Sequence, residues 1–169
     1  MTDNIKVSKA NGVLTLTFDR PDKKNAITDN MYEVLANELE SAETDSAVRA
    51  IVIRSEGDLF TAGNDVSEFA RAAMSGMGLV NVGRFIVALA RATKPLVGAV
   101  QGKAVGVGTT LLLHCDHVIL ADDAQLTTPF VNLALVPEAA STMLLSDRIG
   151  HARAYTMFAL GQPVGATEA

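Results

Sequence analysis

FTAGND (Phe60–Asp65), GKAVGVG (Gly102–Gly108) and TPFVNLALVPE (Thr128–Glu138) each fall between a short apolar run and a segment with helical spacing. Upstream of the first, Ala50-Ile51-Val52-Ile53-Arg54 reads as a short buried strand closed by the turn Ser55-Glu56-Gly57-Asp58. Pro95–Val100 is a strand entering the second, which continues into a helix over Val107–His114. His117–Ala121 is a strand leading toward the third, and Glu138–Ile149 and Ala152–Leu160 predict two helices after it. Nearer the start, Val13, Leu14, Leu16 and Phe18 interleave with Thr15 and Thr17 in a strand that ends at Pro21, a residue unable to extend a ladder. Thr28 then suits the N-cap of a helix that runs through Met31, Val34, Leu35, Glu38 and Leu39 to Glu43. Ser67–Ala73 predicts a short helix and Leu79–Thr93 an amphipathic one, with Ser75-Gly76-Met77-Gly78 a flexible interruption between them. This alternation predicts an α/β architecture of repeated ββα-like units.

Composition limits what such a domain does. The 169 residues are 49% hydrophobic, enough for a real core in one domain. A net charge of -5 with scattered basic residues argues against nucleic acid or an anionic membrane as partner. The single cysteine, Cys115, cannot form an internal disulfide, and MTDNIKVSKANG lacks the pattern of a secretory leader, so the expected location is cytoplasmic. Ala104–Cys115, the longest apolar tract, is too short to span a bilayer and suits a buried helix.

Taken together, the three motifs resemble the active site of the crotonase family, which handles acyl-CoA thioesters. The resemblance implies the ClpP/crotonase-like spiral of ββα units, a fold that periodicity alone does not predict. Removing a proton beside a thioester throws negative charge onto its oxygen, which two backbone N–H groups can hold. Small residues and glycine let main chain come close enough. The family pattern places these donors at Asn64 and Val107, the latter at the positive end of the predicted helix. Taken singly, AGND is also an ordinary turn, and the glycines of GKAVGVG suit tight strand-to-helix packing.

The acid/base residues depart from the hydratase branch of that family. Its two glutamates fall, by the same alignment, at Thr110 and Phe130, neither of which can take a proton at neutral pH. A carboxylate follows at Glu138, where the chain is similar to the peroxisomal-type Δ3,Δ2-enoyl-CoA isomerase branch with its single glutamate after proline. The resemblance implies a shift of the double bond from a 3-enoyl to a 2-enoyl thioester, with Glu138 as the one base and burial against Phe130, Leu133 and Val136 raising its pKa. Read without the flanking motifs, Glu138 is a first-turn helix glutamate.

DRPDKKNAIT resembles the CoA-contacting loop, which places Lys24 and Ala26 near the nucleotide, with Ala62 and Asp65 lining the other side. Lys23 and Lys24 also read as a solvated pair, and Asp65 as a helix cap. His114-Cys115-Asp116-His117 points its side chains apart and predicts no metal, with Cys115 a small buried hydrophobe. His151 has no serine in a nucleophile-elbow context, which weakens a protease of the same broad fold. No metal or redox cofactor is expected, coenzyme A being part of the substrate.

Three functions remain in view: an isomerase, a hydratase that uses Glu138 with a water held by Thr110, and a non-catalytic thioester binder or scaffold. The acyl pocket is expected from Phe69–Val87 and from segments outside this sequence. Residues 161–169 read as a loop opening a further helix, so residues 1–169 are expected to be an N-terminal core domain lacking the family's C-terminal helices. The resemblance implies a trimer or hexamer for the full-length form, and a core without those helices is expected to expose apolar surface and associate.

Overall fold

Two rows of strands, threaded alternately by the chain, organise the computed structural model, which describes residues 4–75 and 80–169. In chain order the elements are β1 (Ile5–Ala10), β2 (Val13–Phe18), α1 (Asp29–Thr44), β3 (Ala50–Ser55), α2 (Val66–Ser75), α3 (Val80–Arg91) and β4 (Leu96–Val100). They continue with β5 (Lys103–Val105), α4 (Val107–Thr110), β6 (His117–Leu120), β7 (Gln125–Thr127), α5 (Ser141–Ile149), α6 (His151–Leu160) and β8 (Val164–Gly165). Residues 76–78 of the expected flexible interruption lie outside the described residues.

The main sheet has the order β1-β2-β3-β4-β6, parallel except for the β1–β2 hairpin. The hairpin turns on Asn11-Gly12, both with positive φ, as a tight two-residue connection requires. After each parallel strand the chain steps into a second row before entering a helix. From β4 it passes into β5 and α4, and from β6 into β7, with β8 completing a small sheet of order β5-β7-β8. From β2 and β3 the second-row strands shrink to single parallel bridges, Ile27 to Asn64 and Thr61 to Ala104. This is the ββα repeat expected above, wound so that the two rows of strands run side by side.

Leu14, Leu16, Ile51, Ile53 and Leu96 fill the main sheet's buried positions, and α1 covers them with Met31, Leu35 and Leu39, one face at four-residue spacing. Thr28 caps α1 by accepting from the Met31 N–H at 3.3 Å. Phe18 and Phe60 meet edge to face at 5.4 Å, joining the end of β2 to the entrance of FTAGND.

Three expectations change. The Val107–His114 helix is one α-turn followed by a 3-10 turn at Leu111–His114, and the Thr109 hydroxyl within the first reaches the carbonyls of Ala104 and Thr127. The helix expected from Glu138 begins at Ser141, since Ala139 and Ala140 both adopt φ of 53° and cannot lie in a right-handed turn. Residues 161–169 contribute β8, paired antiparallel with β7, and then one hydrogen-bonded turn from Ala169 N–H to the Gly165 carbonyl.

Asn25 pins the loop after β2. It is buried with φ of 51°, its amide donates to the carbonyls of Glu56 (2.8 Å) and Leu59 (3.0 Å), and its oxygen accepts from Arg20 N–H (2.8 Å). Asn25→Ala should therefore lower the stability measured by urea unfolding by about 2–3 kcal/mol, the cost of stranding buried backbone groups. A loss below about 0.5 kcal/mol, the size of an ordinary surface change, would contradict this account.

Candidate active site

The segment Thr61–Asp65 is gripped from both sides. Thr61 N–H donates to Lys103 O (3.1 Å), Val105 N–H to Thr61 O (3.0 Å), Ala62 N–H to Lys24 O (3.0 Å) and Asp65 N–H to Ile27 O (2.9 Å). Gly63 N–H is taken by the Thr61 hydroxyl at 3.1 Å. Among the described residues only the Asn64 N–H of this run has no acceptor. Gly63 has φ of 86°, and a Cβ there would lie 2.8 Å from the Val105 carbonyl, so glycine is what lets the two strands approach. Across the gap, Gly106 N–H donates to Thr127 O (2.9 Å), while Val107 N–H, at the first position of α4, has no acceptor among the described residues.

Asn64 and Val107 both line one cavity of about 290 Å³, with Ala62, Val66, Phe69, Phe130, Leu133, Leu135 and Glu138 among the other walls. Among the described residues Glu138 is the only ionisable side chain in that lining. Its Oε1 accepts from the Thr110 hydroxyl at 2.6 Å, whereas its Oε2 is buried with no hydrogen-bond partner. Burial pushes the Glu138 carboxyl above its ordinary range, and the Thr110 hydroxyl pulls it partly back. Of the three residues expected to bury it, Phe130 is buried in the cavity wall, Leu133 lines the cavity but is 59% exposed, and Val136 is 82% exposed and outside the lining, beyond the left-handed residue Ala134.

The other expected site residues divide. Ala62 lines the cavity, while the Lys24, Ala26 and Asp65 side chains do not. Asp65 caps α2, accepting from the Ser67 N–H and hydroxyl and the Glu68 N–H, and its second oxygen pairs with Arg20 at 2.8 Å. The Ser67 hydroxyl, followed by Arg20, holds its carboxyl well below the usual carboxylate range. Lys24 is exposed and Ala26 gives its carbonyl to Arg20 at 2.9 Å. The His114–His117 cluster disperses: His114 Nε2 contacts Ala139 O (3.0 Å), Asp116 accepts from Leu96 N–H (2.8 Å) and Cys115 is buried, its thiol pushed up to about 12. No described group of three or more such ligands could hold a metal.

One contributor escaped the sequence reading. Tyr32, wholly buried on α1, donates its hydroxyl to Asn64 Oδ1 at 2.5 Å and so holds the side chain of a residue that lines the cavity. Burial, then the charges of Glu138 and Asp29, hold its phenol well above the ordinary value, keeping it a donor. The available signal was a tyrosine on a core-facing helical stripe, whose hydroxyl must find a partner. A second cavity, about 390 Å³, is walled by Leu112, Leu145, Met157 and Val164 and shares no lining residue with the first; of its two arginines, Arg148 is occupied by the carbonyls of Leu113 and Cys115 and Arg153 is exposed.

A family profile described as enoyl-CoA hydratase/isomerase matches residues 8–169. The chain belongs to this family. Rat (Rattus norvegicus) enoyl-CoA delta isomerase 2 is 36% identical over 98% of the chain and 43% of its own length. The 2,3-dehydroadipyl-CoA hydratase of Escherichia coli K12 is 33% identical over 96% of the chain and 64% of its own length. An enoyl-CoA hydratase/isomerase structure from Pseudoalteromonas atlantica T6c, 42% identical, superposes with a TM-score of 0.93 over 99% of the chain and 66% of that protein. The chain thus spans between about half and two thirds of the length of these relatives. Family members bearing isomerase and hydratase names match it about equally well. Among the described residues no helix is long and apolar enough to cross a membrane.

Because the folded state raises the Glu138 pKa, it binds that proton more tightly than the unfolded chain does, and ionised Glu138 weakens the fold as pH rises through the raised value. Glu138→Gln should therefore raise the melting temperature at neutral pH, with the gain fading as pH falls toward the ordinary glutamate value of 4.5. A gain that grows on acidification would have the wrong sign.

Proposed function

We propose that this chain carries the site of an enoyl-CoA isomerase that moves the double bond of a 3-enoyl thioester to the 2-position. The observation that supports it is one half-buried carboxylate, Glu138, in an apolar cavity whose walls also present the unengaged N–H groups of Asn64 and Val107. Such a site has the parts for one proton relay. Glu138 takes a proton from C2, the electron pair delocalises through the double bond to the thioester oxygen, and the two N–H groups hold the resulting dienolate. The same carboxylic acid returns the proton to C4, leaving the 2-enoyl thioester and the carboxylate restored. No water and no net proton enter.

Hydration needs a second acid/base group. Phe130 occupies the wall where one would stand, and the wholly buried Thr110 gives the hydrogen of its hydroxyl to Glu138. Both features favour isomerisation, and the chemistry calls on no metal or redox group. The CoA portion would run past Lys24 and Ala26, whose loop is locked to Ala62 by the 3.0 Å bond from Ala62 N–H to Lys24 O. Met143, Tyr155 and Leu160, exposed on α5 and α6, support association into a homo-oligomer, trimer or hexamer.

Conversion of 3-hexenoyl-CoA to 2-hexenoyl-CoA, followed by ultraviolet absorbance beside crotonyl-CoA hydration, tests this reading. Isomerisation should dominate, and Glu138→Gln should reduce it by about 10²–10⁴-fold. Hydration alone would return the site to the hydratase reaction, and acyl-CoA binding without either turnover would make it a binder.

A further inference from the structure

We infer that Thr110 is a positioning residue that holds Glu138 by one carboxylate oxygen and so assigns the proton work to the other. The inference rests on Glu138 acting as the base. Thr110 is wholly buried, and its hydroxyl has two acceptors in reach, Glu138 Oε1 at 2.6 Å and the Val107 carbonyl at 3.4 Å. With one hydrogen to give, it gives it to the nearer, charged oxygen. Oε2 is buried and takes no hydrogen bond from any described residue, so of the two carboxylate oxygens it is the one that no protein donor engages.

The backbone beneath the carboxylate is fixed from the same segment. His114, four residues after Thr110, meets the Ala139 carbonyl at 3.0 Å, and Ala139 and Ala140 are held in left-handed conformations that cost energy for alanine. Ser141 N–H closes the turn on the Glu138 carbonyl at 3.0 Å. The Glu138 side chain is thus held by Thr110 of α4, its carbonyl by Ser141, and the carbonyl of the next residue by His114. Such double restraint suits a base that must reach C2 and C4 in turn without rotating its carboxyl. Tyr32 from α1 and His114 from the turn after α4 are the titratable groups adjoining Glu138; the first is a neutral phenol bonded to Asn64 and the second faces the Ala139 carbonyl.

Thr110→Val keeps the shape and removes the hydroxyl. Its kcat on 3-hexenoyl-CoA should fall about 10- to 100-fold, as for a misplaced reacting group, with KM nearly unchanged. The acid limb of its kcat–pH profile should move to higher pH, because the bond that favours ionised Glu138 is gone. Thr110→Ser should restore both rate and profile, and Thr110→Val placed in Glu138→Gln should cost nothing further. An acid limb that stays in place in a Thr110→Val protein with a normal thermal melt overturns the inference, as does a serine variant that fails to restore it. Should valine prevent folding, Thr110→Ala against Thr110→Ser reads the same profile. Full isomerisation by Glu138→Gln alone would instead remove the base reading beneath it, an outcome visible without any change at Thr110.

Discussion

Backbone pairing between Thr61–Asp65 and its two neighbours is the constraint from which the site follows. A strand in parallel pairing alternates the direction of its N–H groups, so a short segment gripped from both sides has few free donors. Here the loop ending at Ile27 takes the N–H groups of Ala62 and Asp65, β5 takes that of Thr61, and the Thr61 side chain takes that of Gly63. Asn64 N–H is the remainder. The approach of the strands depends on contacts a side chain would block: a Cβ at Gly63 would meet the Val105 carbonyl at 2.8 Å, and one at Gly108 would meet Thr61 Cγ2 at 2.4 Å. Gly63 and Gly108 serve packing and, through packing, the cavity, whereas Gly106 supplies a positive φ of 57° in open space.

The larger elements were legible because their signals are local. β2, β3 and β4 are short apolar runs ended by turns, and α1 shows a buried stripe with a threonine cap. The second row was invisible to periodicity because it consists of two- and three-residue strands and single bridges, whose partners lie 37 to 43 residues away in the bridges Ile27–Asn64 and Thr61–Ala104. The first strand was also missed: five of the six residues of β1 are exposed, leaving only the Asn11-Gly12 turn to betray a hairpin.

Around the site, the same division holds. Glu138 could be singled out from its place after Pro137 in a recurring family pattern, but the left-handed pair Ala139-Ala140 carries no signal in two alanines. Its cause is tertiary, a carbonyl caught by His114 and a turn closed by Ser141. Tyr32 is a similar case, since its hydroxyl finds Asn64 only once α1 lies across the FTAGND segment. Val136 was misjudged for the converse reason: an apolar residue beside a carboxylate in sequence need not share its surroundings, and here it is on the surface.

The cavity's contributions come from two kinds of atoms, and mutation acts on them differently. The Asn64 and Val107 donors are main chain, fixed by the ladder and by the start of α4, so an exchange of side chain at either position leaves an N–H in place. Glu138, Thr110 and Phe130 act only through their side chains. On the proposed reaction the electrophilic half is therefore inherited with the fold, whereas the proton-handling half can be rewritten one codon at a time. That asymmetry gives a physical reason for relatives of one architecture to bear the names of different reactions on the same class of thioester.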